Sequence, residues 1–247
     1  CNGTHWCKPT HGCITVAFCS SYRKTSFKDH INNSMIDEDY HAWVEYPDHR
    51  WVFNKLETAL RFGYDAGPAC VPITKSGKYI IRPIYNLYGM GIGATLKHLD
   101  PDLHGEEMTH HKHVPPGYFW CEAFEGEHKS VDFENINGKW VPFCTVIGKN
   151  DKDNLTRFRS WEKTWNIEYI FSERLQFDGV KNLNIEFIDN NPIEIHLRTG
   201  NDPFWDLSVG ESLYPVWKDE GIEPDIPNHY PESFKYSADG HLSDIRV

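Results

Sequence analysis

Residues 183–198 read Leu-Asn-Ile-Glu-Phe-Ile-Asp-Asn-Asn-Pro-Ile-Glu-Ile-His-Leu-Arg. Two runs of alternating apolar and polar residues flank Asp189-Asn190-Asn191, which has the composition of a turn, so the stretch reads as a β-hairpin. Side chains alternate across a strand, which places Glu194, His196 and Arg198 on one face. Across the turn, Glu186 can face the same way. Leu183, Ile185, Phe187, Ile193, Ile195 and Leu197 fill the other, core-facing side. Two carboxylates and a third ligand on one sheet face suit a hard divalent cation such as Mg²⁺, which takes carboxylates together with substrate phosphates. Arg198 beside them suits a phosphate. The plainer alternative for such charges is a solvated face.

Outward from this hairpin the chain alternates short strands and turns. Apolar spacing predicts a helix from Val52 to Phe62, with Phe53, Leu56 and Leu60 on one face and Gly63 as its stop. Lys78 to Arg82 reads as a strand ending at Pro83, followed by a loop containing Gly89, Gly91 and Gly93. Tyr118 to Phe124 and His128 to Phe133 read as strands around Glu125-Gly126-Glu127. Asn137-Gly138 signals a hairpin whose second strand runs from Lys139 to Val146. A helix is expected over Trp161 to Gln176. Residues 100–117 read as an exposed connection and the last 35 residues as a wrapping tail. Strands joined by tight turns and interrupted by helices indicate an α+β fold with antiparallel sheets.

The 247 residues are 39% hydrophobic and 14% aromatic, a globular composition of one large domain or two small ones. The formal net charge of −11 argues against non-specific nucleic-acid binding, which needs a positive field. No run approaches the ~18 apolar residues of a membrane span. The sequence opens on Cys1, so either an initiator Met was removed or the sequence lies within a longer chain. Seven cysteines, an odd count, indicate a reducing compartment and hence the cytoplasm. Cys1, Cys7, Cys13 and Cys19 recur every six residues, and His5, Cys7, His11 and Cys13 are ligand types that suit zinc. Paired Cys-x2-Cys spacing is absent, so this segment is read as free thiols rather than a zinc site.

Ile80-Ile81-Arg82-Pro83 leads into the run Tyr85-Asn86-Leu87-Tyr88-Gly89-Met90-Gly91-Ile92-Gly93. A cation at a strand end beside a glycine loop can grip polyphosphate, because backbone N–H groups approach closely where no side chain intervenes. The run is not a Walker pattern, and no helix follows it as a Rossmann fingerprint requires. His104, His110, His111 and His113 read as a solvated loop, with metal binding as the sharper alternative. Arg157, Arg159, Trp161 and Lys163 read as the start of an amphipathic helix, or else as a contact for a polyanion. Trp205 and Asp206, just past the hairpin, are placed to shape an acceptor pocket.

Taken in chain order, these pieces resemble the ATP-grasp superfamily over about residues 50–200. Asn54-Lys55-Leu56 opens a helix where that family has its first phosphate-binding lysine. Ile80-Ile81-Arg82-Pro83 resembles the strand carrying the second, with Arg in place of the usual Lys. Gly89 to Gly93 looks like the mobile loop that closes over the triphosphate. Trp120 to Glu127 resembles the hinge, which implies that Glu122, Ala123 and Phe124 line the adenine and Glu127 holds the ribose. Glu186 and Glu194 match the two metal-binding acids. His196, a third metal position, stands where the family usually has Asn, and Leu197-Arg198 follows. More narrowly, the chain resembles ATP-grasp proteins of bacteriophages.

The resemblance implies an α+β ATP-grasp fold, two α+β subdomains whose antiparallel sheets enclose a nucleotide. The implied organisation is a short N-terminal segment (1–50), a helix and linker (51–76), a lid subdomain (77–124), a C-terminal subdomain (125–210) and a tail (211–247). The implied activity is ATP-dependent ligation of a carboxylate to an amine, or less often a thiol, through an acylphosphate. Lys55 and Arg82 would neutralise the α- and β-phosphates, and Arg198 would hold the transferring group. Loop 86–94 would exclude water, with Gly89, Gly91 and Gly93 binding the nucleotide, and Mg²⁺ or Mn²⁺ would sit on Glu186, Glu194 and His196. The partners implied are small-molecule or peptide substrates. The alternative is a catalytically silent nucleotide-binding or structural phage protein with an assembly partner.

Overall fold

The computed structural model describes residues 39–85, 93–101, 113–151, 154–167, 169, 175–200, 204–217 and 241–246. The first described element is helix α1 (Asp39–Glu45), followed by a 3₁₀ turn (Pro47–Phe53) and helix α2 (Lys55–Arg61). The single helix expected over Val52–Phe62 is therefore divided at Asn54. That residue is extended, and its side chain accepts the backbone N–H of Glu57 at 2.9 Å, capping a new helix. Gly63, at φ +79°, ends α2 as expected.

Two antiparallel sheets follow. The smaller holds β1 (Ala66–Pro68), β2 (Gly77–Pro83), β3 (Thr95–Leu99) and β4 (Tyr118–Glu122), in the order β1-β4-β2-β3. The larger holds β5 (His128–Ile136), β6 (Lys139–Asp151), β7 (Asn154–Thr164), β8 (Asn182–Ile188), β9 (Asn191–His196), β10 (Ser212–Trp217) and β11 (His241–Arg246). Its order is β11-β10-β7-β6-β5-β8-β9. The α+β architecture with two antiparallel sheets is as expected. At the β5–β6 turn Asn137 and Gly138 both take positive φ, +53° and +81°, the type I′ geometry that Asn-Gly favours.

Two expectations fail here. Trp161 to Thr164 is strand, not the start of a helix. Cross-strand packing decides it: Trp161 lies opposite Gly148, and a Cβ at Gly148 would come within 2.6 Å of the Phe158 ring. The Phe158–Trp161 ring pair, 4.2 Å between centroids, fills that gap and fixes the segment as extended. Within the expected tail, Ser212–Trp217 and His241–Arg246 are β10 and β11, the edge of the larger sheet.

The main core lies on one face of the larger sheet, where Val131, Phe133, Leu183, Ile185, Phe187, Ile195 and Leu197 pack beneath Ala42, Val52 and Phe53. Each such aliphatic side chain contributes roughly 1.5–3 kcal/mol by leaving water. A second cluster within the smaller sheet joins Tyr79, Ile81, Leu99 and Trp120. Ala59 of α2 packs on Phe119 and Cys121 of β4, and α2 also touches β9. Helix α2 thus bridges the two sheets, and its first residue, Lys55, sits at the junction.

Candidate active site

Between the sheets lies a cavity of about 300 Å³. Lys55 of α2, Arg82 of β2, Glu186 of β8 and Glu194 of β9 all line it. Four side chains chosen from separate stretches of sequence thus meet in one space.

The acidic half is set by register. Glu186 and Glu194 are direct partners across β8 and β9 and share a face. Like charges directly opposite repel, and each acid has a basic neighbour. Lys55 Nζ donates to Glu194 Oε1 at 2.6 Å, with Lys55 only 5% exposed. His128 Nε2 lies 3.1 Å from Glu186 Oε2. Burial alone would raise the Glu186 carboxyl, but the His128 hydrogen bond and charge, with His196 and Lys55, bring it down to about 2. His128 is itself held edge-on by Phe158 and Trp161, at 4.9 and 5.7 Å between centroids.

The basic half is incomplete. Arg82 Nη2 donates to the Ile193 carbonyl at 2.8 Å, and its guanidinium carbon lies 5.3 Å over the Phe119 ring. Its Nε is buried and has no hydrogen-bond partner among the described residues. A buried unpaired donor costs about 1–3 kcal/mol. Ile193 departs from the expected core-facing position. Glu186 pairs with Glu194 and Phe187 with Pro192, so Ile193 is the extra residue of a β-bulge and lines the cavity instead.

The far end of the cavity is apolar. Glu122, Ala123 and Phe124 line it, with Tyr64 edge-on to Phe124 at 4.6 Å. Glu122 Oε1 accepts the Asp65 N–H at 3.0 Å, and the Ala123 N–H donates to Lys78 O at 3.0 Å, which fixes the link between the sheets. Glu127 does not line the cavity; its side chain is exposed, 3.7 Å from Lys129. Its N–H donates to Asp189 at 2.9 Å, tying this link to the β8–β9 turn. Gly126 cannot be replaced without strain, since it has φ +140° and a Cβ would clash with Asp189.

Other expected positions fall elsewhere. His196 and Arg198 do not line the cavity; both bind Asp39. Burial favours a neutral His196, but Asp39 and Glu194 outweigh it and raise its pKa. Against burial, His196 and Arg198 carry the Asp39 carboxyl well below its usual range. Glu186, Glu194 and His196 do not form a three-ligand set: among the described residues no group of three or more His, Cys, Asp or Glu is placed to hold a metal ion. Gly93 is described, at φ +79° beside Tyr118, whereas Gly89 and Gly91 lie outside the described residues. So do His5, Cys7, His11, Cys13, His104, His110 and His111. Of the basic residues in the 157–163 stretch, Lys163 is buried, donating to Cys144 Sγ at 2.9 Å and Phe204 O at 3.3 Å. Trp205 donates to buried Asp132 at 2.8 Å.

Sequence reasoning missed His128, Tyr64 and Asp39. His128 directly follows the hinge and alternates with Ser130 and Asp132, which was signal enough. Asp39 lies 157 positions from His196, and nothing in its local sequence marks it.

No family model matches the chain, and no curated protein does. Among solved structures, one similar chain is from Archaeoglobus fulgidus and is assigned to the ATP-grasp superfamily, with 12% identity and TM-score 0.42, over 79% of this chain and 64% of that one. An L-amino acid ligase from Bacillus licheniformis gives 13% and 0.39, over 60% and 40%. An N5-carboxyaminoimidazole synthetase from Staphylococcus aureus, complexed with ADP, gives 10% and 0.44, over 70% and 59%. The chain thus spans less than two thirds of each of these proteins. Among the described residues no helix is long and apolar enough to cross a membrane.

Proposed function

We propose that this protein is an ATP- and Mg²⁺-dependent ligase of the ATP-grasp type, joining a carboxylate to an amine, or less often a thiol, through an acylphosphate. The observation that carries the reading is the convergence of Lys55, Arg82, Glu186 and Glu194 on one cavity between two sheets. On this reading residues 77–124 form the lid subdomain, joined by β1, and residues 125–210 the opposite one. The unpaired thiols Cys70, Cys121 and Cys144 suit a cytosolic setting.

The apolar end, with Tyr64, Ile80, Leu96, Phe124 and Leu155, takes the planar base, and Glu122 reads its edge. Arg82, which lines the same cavity, offers its guanidinium charge to the phosphates. Lys55 exchanges the Glu194 carboxylate for a phosphate oxygen. Glu186 and Glu194 are thereby left as a pair of carboxylates on one face, a donor set that fits Mg²⁺, which completes its shell with phosphate oxygens and water. The chemistry such an ion would supply there is neutralisation of phosphate charge. His196 is left out of the ligand set because Asp39 already engages it. The terminal phosphoryl group passes to a substrate carboxylate oxygen, the bond to ADP breaking. The amine nitrogen then attacks the acyl carbon, phosphate leaves, and the amine gives up a proton. Positioning and charge neutralisation are the main requirements for this transfer.

One observation favours a second reading, nucleotide binding without turnover: Arg198, the group expected to hold the acylphosphate, is engaged by Asp39. Thermal-shift titration with ATP and Mg²⁺, followed by a metabolite screen for ADP release, tests both. A shift in wild type that is lost in Glu194→Ala supports the site, and ADP release with any carboxylate and amine pair supports the ligase. No shift in wild type contradicts the proposal.

A further inference from the structure

His196 bridges two carboxylates. Its Nδ1 lies 3.1 and 3.0 Å from the two oxygens of Asp39, and its Nε2 lies 3.6 Å from Glu194 Oε1. Asp39 also receives the Arg198 guanidinium, Nε at 2.8 Å and Nη2 at 3.3 Å. Glu194 also receives Lys55. Basic and acidic side chains therefore alternate without a gap, Arg198–Asp39–His196–Glu194–Lys55, from the end of β9 to the cavity. Asp39, His196 and Lys55 are 4, 7 and 5% exposed. In such a setting water does not replace a missing partner, and each member holds its neighbour in place.

Asp39 is the member that comes from a distant part of the chain. It begins α1, whose Ala42 is anchored in the main core. An imidazole presents nitrogens on two edges, so a ring fixed at Nδ1 has its Nε2 direction fixed as well. Outer partners of this kind set the orientation of the carboxylates that bind cations.

We propose that Asp39 is a positioning residue for the acidic end of the cavity: by gripping His196 at Nδ1 and Arg198 through its fork, it keeps His196 Nε2 against Glu194, so that Glu194 holds its place when Lys55 leaves for a phosphate. The inference rests on the nucleotide reading of the cavity. Asp39 touches neither nucleotide nor cation and acts only through His196 and Arg198.

The test is Mn²⁺ binding to the full chain with a non-hydrolysable ATP analogue bound, followed by the free-Mn²⁺ electron paramagnetic resonance signal. Metal-free ADP affinity is measured alongside. Asp39→Asn weakens Mn²⁺ binding by about tenfold, the lower end of what outer partners contribute, and leaves metal-free ADP affinity unchanged; Asp39→Glu recovers part of the loss. Should Asp39→Asn fail to fold, the charge-balanced pair Asp39→Asn with Arg198→Gln removes the grip on His196 without leaving either charge buried alone, and carries the same expectation. Unchanged Mn²⁺ affinity in a folded variant overturns the inference. So does an equal fall in Mn²⁺ and metal-free ADP affinity, which marks general support of the cavity. Wild type that binds no nucleotide overturns the functional reading first, and this inference with it.

Discussion

Two sets of charges share one face of the larger sheet, one buried and the other half-buried at the cavity, and they are held in opposite ways. Asp132 accepts from Asn184 at 2.8 Å, from the Gly200 N–H at 2.7 Å and from Trp205 at 2.8 Å, all neutral and directional donors. Its neighbour Lys163 donates to a thiol and a carbonyl. A few residues away, Glu186 and Glu194 are held by His128 and Lys55, which are basic groups. The consequences for proton affinity diverge. Burial prevails at Asp132 and raises its pKa despite Trp205, Gly200, Asn184 and Lys163, whereas at Glu186 the basic partners overcome burial. The Asp132 set is complete and has nothing to exchange. The cavity set is a pair of ion contacts in which a phosphate can replace Glu194 on Lys55, and a cation can replace Lys55 on Glu194.

The largest effect that separates the two sets is expected at Asp132. Asp132→Ala leaves three buried donors without their acceptor and costs on the order of 4 kcal/mol. Urea denaturation reads that loss, while nucleotide affinity of the folded protein stays the same. A loss of nucleotide affinity would join the two sets and break the contrast.

Next in size is the exchangeable pair. Lys55→Met leaves Glu194 buried beside the cavity and costs about 2 kcal/mol, less than a fully enclosed ion because the cavity admits water. Replacing both, Lys55→Met with Glu194→Leu, restores apo stability to within about 1 kcal/mol, while nucleotide binding is lost. A double variant as unstable as the single one would make this pair structural, like Asp132.

A third effect is in the pH dependence. A glutamate carboxyl at about 2 in the folded chain, against 4.5 for the ordinary group, contributes stability that is present above pH 4.5 and lost as pH falls through 2. Asp132, raised from 3.8, acts with the opposite sign: its contribution is present below pH 3.8 and fades as pH rises through its folded value. Urea midpoints between pH 2 and 5 are expected to fall more steeply toward acid in wild type than in Glu186→Gln. Parallel curves would mean that His128 does not hold Glu186 as described.

Much of this was readable from sequence because it depends on periodicity of two. The 183–198 alternation put Glu194, His196 and Arg198 on one face, whereas Glu186 comes opposite Glu194 only through the bulge at Ile193. Periodicity also gave the strand that ends in Glu122 to Phe124, but their place as a hinge came only from the family resemblance. What escaped depends on contacts between distant segments. Trp161 looks helical until Gly148 is placed opposite it. Ile193 looks like a core residue until the bulge turns it toward Arg82. Asp39 has no local signature at all, yet it decides what His196 and Arg198 touch.

The central claim is that one triphosphate sits between the sheets on Lys55, Arg82 and the Glu186–Glu194 pair. Calorimetric titration with a non-hydrolysable ATP analogue in Mg²⁺, on wild type and Arg82→Ala, tests it most directly. One nucleotide per chain in wild type, with affinity falling by about 30-fold or more when the buried guanidinium is removed, is the result expected. No binding to wild type, or equal affinity in Arg82→Ala, would contradict it.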